Sequence, residues 1–170
     1  MRALVVFESM FGNTEKLARA IGDELATRYT VDVRNVDDAP ELVEDFDLVI
    51  VGAPTHVHGL SRPKSRLDAA TKTESELVTH GAGLREWLES VRGGRPCRGA
   101  AFGTRIAKPR WMTGSAARRA DRLLRRAGFE RAAKPDDFFV TGMLGPLAAG
   151  ELDRARAWAR AVAAEVPAAG

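Results

Sequence analysis

The sequence predicts a three-layer α/β sandwich, a five-stranded parallel sheet of order 2-1-3-4-5 with helices on both faces. Three observations lead there. Five short apolar runs are spaced along the 170 residues: ALVVF (3–7), VDVRNV (31–36), DLVIVG (47–52), GAAFGT (99–104) and DFFVTG (137–142). Three of them are continuous rather than alternating, as in strands covered on both sides. Helical patterns fall between them, and strand alternating with helix implies right-handed crossovers onto a parallel sheet.

The first run passes at Glu8 into the turn ESMFGNT and then into a helix over 13–28, where Leu17, Ala20, Ile21 and Leu25 recur at the helical period. After the second run, the segment 40–44 leaves room for only a short helix before the third. The connection 53–83 is long and has little apolar periodicity, a profile typical of functional or mobile loops. Its second half, DAATKTESELVTH, reads as a short helix or as an arm. A helix over 84–91 places Leu84, Leu88 and Val91 inward, and one over 115–127 carries Ala120, Leu123, Leu124 and Ala127 on one side. The last, over 151–166, does the same with Leu152, Ala155, Ala159, Val162 and Val166.

A chain of 170 residues fits a single domain, 1–170, able to bury roughly 70% of the surface its unfolded form exposes. No apolar stretch approaches the ~20 residues of a membrane helix, and no signal-peptide core precedes the first turn, so a cytoplasmic location is expected. Cys97 is the only cysteine, which excludes disulfide frameworks and multi-cysteine metal sites. It precedes the fourth strand, at the end of the sheet away from the loops below, and reads as structural. The net charge of +3 and pI near 9.4 point weakly to acidic partners. The basic helix SAARRADRLLRRAG has no interleaved aromatic residues, so it reads as a solvated face and not as a nucleic-acid surface.

In a sheet of this order the ligand crevice opens beside the first and third strands, so three loops matter. In ESMFGNT, Ser9 and Thr14 offer hydroxyls, Gly12 admits close backbone approach, and the first helical amides face the crevice. The same residues describe a turn at Gly12 with Asn13 capping the helix, and local sequence does not choose between cap and phosphate cradle. The turn matches neither the dinucleotide fingerprint nor the Walker pattern. The loop after the third strand, VGAPTHVHGLSRP, carries Pro54, Thr55, His56, Val57, His58 and Gly59. Its H-x-H pair has only His80 as a further histidine, too few ligands for zinc. The loop after the fourth strand, FGTRIAKPRWMTGSAA, brings Thr104 and Arg105 to the crevice, with Trp111 as a stacking ring or, by preference, a hydrophobic plug. A phosphoacceptor receiver would need an Asp where Gly52 ends the third strand, and a low-molecular-weight phosphatase a Cys where Ser9 stands.

Together these loops resemble the flavodoxin-like FMN-binding family over essentially the full chain. Ser9, Gly12 and Thr14 match that family's phosphate loop; Phe11 departs from it, standing where typical flavodoxins carry a second Thr. The SMFGN turn, and Gly52, Pro54, Thr55, Gly59 and Ser61 after the third strand, resemble the quinone-oxidoreductase branch of the superfamily. The resemblance implies FMN as cofactor. The amides of Met10, Phe11, Gly12, Asn13 and Thr14 and the hydroxyls of Ser9 and Thr14 would hold the phosphate. The segment Pro54, Thr55, His56, Val57, His58, Gly59 would line the isoalloxazine, and Thr104 and Arg105 would meet its pyrimidine edge. Gly59 or its neighbour could turn a peptide group toward the flavin. The loop has no Tyr or Trp to stack on the ring, and His56 is the nearest substitute.

His56, His58, Arg62, Lys64, Arg66, Arg105, Lys108 and Arg110 would ring the crevice. Positive charge there makes the anionic, fully reduced flavin easier to form than in acidic flavodoxins. Three functions stand open: an electron-transfer protein serving a redox partner protein, an NAD(P)H-dependent quinone or flavin reductase, and an FMN-free interaction or regulatory domain.

Overall fold

A computed structural model of the chain describes residues 1–56, 59–91 and 97–167. Successive residues of β1 (Arg2–Phe7) face opposite sides of a sheet, and this period of two builds two cores. Leu4 and Val6 join one; Ala3, Val5 and Phe7 join the other. β3 (Leu48–Pro54) divides the same way, with Val49, Val51 and Ala53 on the first side and Leu48 and Ile50 on the second. The first core is closed by α3 (Leu84–Ser90) and α5 (Ala116–Arg126) through Leu84, Leu88, Ala120 and Leu124. The second is closed by α1 (Asn13–Leu25) and α6 (Glu151–Ala164) through Leu17, Ile21, Ala155, Ala159 and Val162. Coverage on both faces is why these strands read as unbroken apolar runs.

β1 lies between β2 (Thr30–Asn35) and β3, and β3 pairs with β4 (Arg98–Ile106), all parallel. Phe7, Gly52 and Phe102 stand level across the three central strands, so the loops that follow leave from one edge. Gly52 is there because of its neighbour: a Cβ would lie 2.0 Å from the Phe102 ring. Phe102 packs edge-on to Phe138 and Trp158, with all three centroid pairs 6.2 Å apart.

The expected order holds, but the fifth lane is split. β5 (Glu130–Arg131) pairs with Arg98 and Gly99, and β6 (Asp136–Val140) pairs with Phe102 through Ile106 on the same edge of β4. Pro135, between them, has no N–H to give the ladder. The helices form where the periodicity placed them, with α1 ending at Leu25 rather than 28. No helix forms over 40–44. A 3₁₀ turn at Val36–Asp38 precedes it, and burial of Val43 and Phe46 with a bond from Trp87 Nε1 to Pro40 O (3.0 Å) holds the segment irregular.

The long connection contains a helix that periodicity missed, α2 (Pro63–Ala70), begun by a proline in its first turn and by Ser65 Oγ accepting from Arg62 N at 2.9 Å. Only Asp68 to Ala70 of the DAATKTESELVTH stretch are helical; the rest is an arm along the sheet edge. Among the described residues no helix is long and apolar enough to cross a membrane.

Candidate functional site

The turn between β1 and α1 leaves the helix start without the side-chain cap that its sequence allowed. Gly12 is the residue before the helix, at φ 87°, where L side chains are strained. Asn13 does not cap: its side chain donates to Leu144 O at 3.2 Å, and no side chain closes the helix start. The amides of Asn13, Thr14 and Glu15 therefore meet no acceptor among the described residues, and neither do those of Met10 and Phe11. Gly12 N donates to Ser9 Oγ at 3.0 Å, which leaves the Ser9 hydroxyl hydrogen free to be given outward. The hydroxyls of Thr14 and Thr104 stand 3.2 Å apart, so one hydrogen of the two is spare. Such a nest of donors at the positive end of a helix suits a phosphate.

The turn is held from behind by the arm. Thr79 N donates to Ser9 O and Ser9 N to Thr79 Oγ1, both at 2.9 Å, while Val78 N donates to Met10 O at 3.1 Å. Thr79 is 1% exposed. Its role was not legible from sequence, because the pairing closes across the whole of the long connection.

A cavity of about 270 Å³ opens beside these donors. It brings together Ser9, Met10, Phe11, Asn13, Thr14, Pro54, Thr55, His56, Thr104 and Arg105 of the expected residues. Gly12 shapes the turn without lining the cavity, and Gly59 lines an adjoining cleft. His56 and Gly59 exchange both backbone hydrogen bonds, at 2.7 and 2.8 Å; Val57 and His58, between them, lie outside the described residues. The cavity also takes residues that the loops alone did not reveal: Ser65, Asp68, Ala69 and Lys72 from α2 and its end, and Ile106, Val140 and Met143. Pro63 followed two residues later by a serine was the available signal for α2.

Several of these side chains carry bonds that the sequence did not reveal. The Thr55 hydroxyl accepts from Ala116 N at 3.1 Å and so fastens the loop to α5. Arg105, expected at a pyrimidine edge, commits its guanidinium to Asp137 Oδ2 (3.2 Å) and Lys108 O (2.5 Å). Arg110 also reaches Asp137, at 3.5 Å, and Ser115 Oγ donates to the other oxygen at 2.9 Å. Arg66 turns away to Glu86, at 3.4 Å. Of the expected ring of cations, His56 and Arg105 line the cavity and Arg62 and Lys64 the adjoining cleft; Lys72, outside that ring, adds a positive charge to the cavity with Asp68 opposing it. Trp111 is no plug: it is 81% exposed on α4 (Arg110–Thr113).

Burial, then the charges of Arg66 and Lys72, lower the pKa of His56 below its usual value, so the imidazole is predominantly neutral at pH 7. Glu8, at the end of β1 and 0% exposed, is pushed the other way. Burial raises its carboxyl above the ordinary range against Ser61, the Leu84 amide and Arg66. Its Oε2 accepts from Leu84 N at 2.8 Å, and its Oε1 has no partner among the described residues.

A family model described as flavodoxin matches residues 5–161 of the chain. The chain belongs to the flavodoxin family. No curated protein gives a significant match. Among solved structures, oxidised flavodoxin 2 from Bacillus cereus is similar at 20% identity and TM-score 0.68, covering 97% of this chain and 99% of that one. A flavodoxin from the domain Archaea follows at 19% identity and TM-score 0.65, covering 98% and 99%. A WrbA-like flavodoxin from Agrobacterium tumefaciens aligns at 16% identity and TM-score 0.58, covering 96% of each chain. At these identities the likeness is one of fold. Membership implies a flavin, typically FMN, and the residues of this flavodoxin fit one. Open amides and spare hydroxyls stand at one end of the cavity, and Met10, Pro54, Ala69, Ile106 and Val140 supply apolar wall.

Proposed function

We propose that this flavodoxin binds FMN in the cavity at the carboxyl edge of its sheet and carries electrons for a redox partner. The observation that supports it best is the uncapped start of α1, whose free amides adjoin a largely apolar cleft. The amides of Met10, Phe11, Asn13, Thr14 and Glu15 and the Ser9 and Thr14 hydroxyls hold the phosphate without a basic side chain, by dipole and hydrogen bonding. Pro54, Ala69 and Ile106 exclude water from the ring, and Lys72 sets a positive charge against Asp68 at its rim. FMN, when bound, supplies the one- and two-electron chemistry; the protein binds, orients and tunes.

The test is whether purified protein shows flavin absorbance in the visible, or acquires it with added FMN. A protein that stays colourless and gives no binding heat with FMN overturns the reading. Rapid bleaching of the bound flavin by NADPH with no partner protein present would replace the carrier with a reductase.

A further inference from the structure

We propose that an arginine patch beside the cavity mouth docks an acidic redox protein; the proposal rests on the flavin-binding reading above. The patch is assembled from three elements: Arg62 before α2, Arg85 on α3, and Arg119, Arg122 and Arg126 on α5. On α5 the three arginines recur at i, i+3 and i+7, one face of the helix. Burial and then the charges of Arg85, Arg122, Arg126 and Arg62 lower the pKa of Arg119, so Arg119 lies within the field of the other four guanidinium groups.

These charges are not neutralised within the chain. Among the described residues no carboxylate forms an ion pair with Arg62, Lys64, Arg85, Arg119, Arg122 or Arg126. The nearby acids are engaged elsewhere: Glu86 with Arg66, and Asp121 with Arg125 and Arg131. Arg85 is instead fixed by neutral carbonyls, donating to Leu60 O at 3.0 Å and Ser61 O at 3.2 Å. It is held in place with its full charge unspent, a preorganised cation in the sense that favours association.

The patch adjoins the flavin cavity. A cleft lined by Arg62, Arg85, Arg119 and Arg122 shares His56, Ser65 and Asp68 with the cavity, and Asp68 is its only carboxylate among the described residues. A Cβ on Gly59 would lie 4.0 Å from Arg119 Cβ and Cγ, so the arginine stem lies near Gly59. Extent selects the occupant. Arg119 to Arg126 spans about 10 Å of helix, and Arg62 and Arg85 widen the surface sideways. A diphosphate engages two or three guanidinium groups at a point, whereas the acidic face of a protein meets an array of this width.

The test measures binding of an acidic [2Fe–2S] ferredoxin by calorimetry, to the FMN-loaded protein and to the flavin-free protein. Binding should weaken about tenfold or more between about 20 and about 300 mM salt. It should be lost in R119Q/R122Q/R126Q, with FMN affinity and melting temperature unchanged. A single-site R119E variant, read the same way, keeps the test open should the triple variant fold poorly. Ferredoxin binding that is absent, insensitive to salt or untouched by the variants overturns the proposal. So does a variant that leaves ferredoxin binding intact but loses NADPH binding, which would assign the patch to a phosphorylated dinucleotide. Because the flavin-free protein presents the same arginines, failure of FMN to bind is read separately.

Discussion

Ser9 and Thr79 are 70 residues apart in sequence and pair like strand neighbours, Thr79 N donating to Ser9 O while Thr79 Oγ1 accepts from Ser9 N, each at 2.9 Å. Thr79 Oγ1 also donates to Asn35 Oδ1 at 3.1 Å, which ties the β1–α1 turn to the end of β2. Thr79→Val keeps the shape and removes the hydroxyl, leaving a buried Ser9 N–H without an acceptor. The expected loss is about 1–3 kcal/mol of stability, with FMN affinity falling alongside, whereas Thr79→Ser loses little of either. Denaturant unfolding and a flavin titration on the two variants check this.

At Gly12 the backbone sits at φ 87° and a Cβ there would meet nothing within 4 Å. Substitution is therefore limited by conformation and not by space. Gly12→Ala should cost about 1 kcal/mol, and Gly12→Asn less, because Asn tolerates the left-handed region better. Equal melting temperatures for wild type and the Ala variant would contradict the assignment.

The strands and most helices were legible because their signal is local. Leu17, Ile21 and Leu25 repeat on one face of α1, and Val49, Ile50 and Val51 run unbroken because both sides of β3 are covered. The turn after β1 was half legible: its residues left open a capped helix start or an anion cradle, and whether Asn13 capped the helix depended on Leu144, far along the chain. Other features were set by partners brought in through the fold. Arg105 reads as a ligand cation until Asp137 is placed beside it by β6. The 40–44 segment reads as helix until Trp87 takes the Pro40 carbonyl.

Glu8 gives a pH signature with a definite sign. Burial raises its folded-state pKa above the ordinary 4.5. Its protonated form thus stabilises the fold fully below that value, and the contribution is lost as pH rises through the folded pKa. Glu8→Gln, which retains an acceptor for Leu84 N, should match wild type at low pH and exceed it at neutral pH. Melting temperatures of the two proteins that run parallel between low and neutral pH would count against a perturbed Glu8.

Lys72 and Asp68 line the cavity with opposite charges. Fully reduced flavin is anionic, so the nearby cation favours reduction and the carboxylate opposes it. Both side chains are exposed, and solvent holds the effect to the order of tens of millivolts. Redox titration of the FMN-loaded protein should move the potential down in Lys72→Gln and up in Asp68→Asn. Shifts of the same sign in both variants would show that neither acts through its charge.

Asp137, 3% exposed, organises the loop after β4 by holding Arg105, Arg110 and Ser115 at once. Removing it leaves the Arg105 guanidinium, itself 7% exposed, buried without its counter-ion. Asp137→Ala should therefore cost about 3–5 kcal/mol. The pairing predicts more than the size of that loss. Arg105→Met in the same background removes the stranded charge, so the double variant should be more stable than Asp137→Ala alone. Arg105 also stands over the Phe139 ring, 5.0 Å from its centroid, a contact that the unbranched Met side chain can partly replace. If the two losses simply add, Asp137 holds the loop through Ser115 and Arg110, and its bond to Arg105 is incidental.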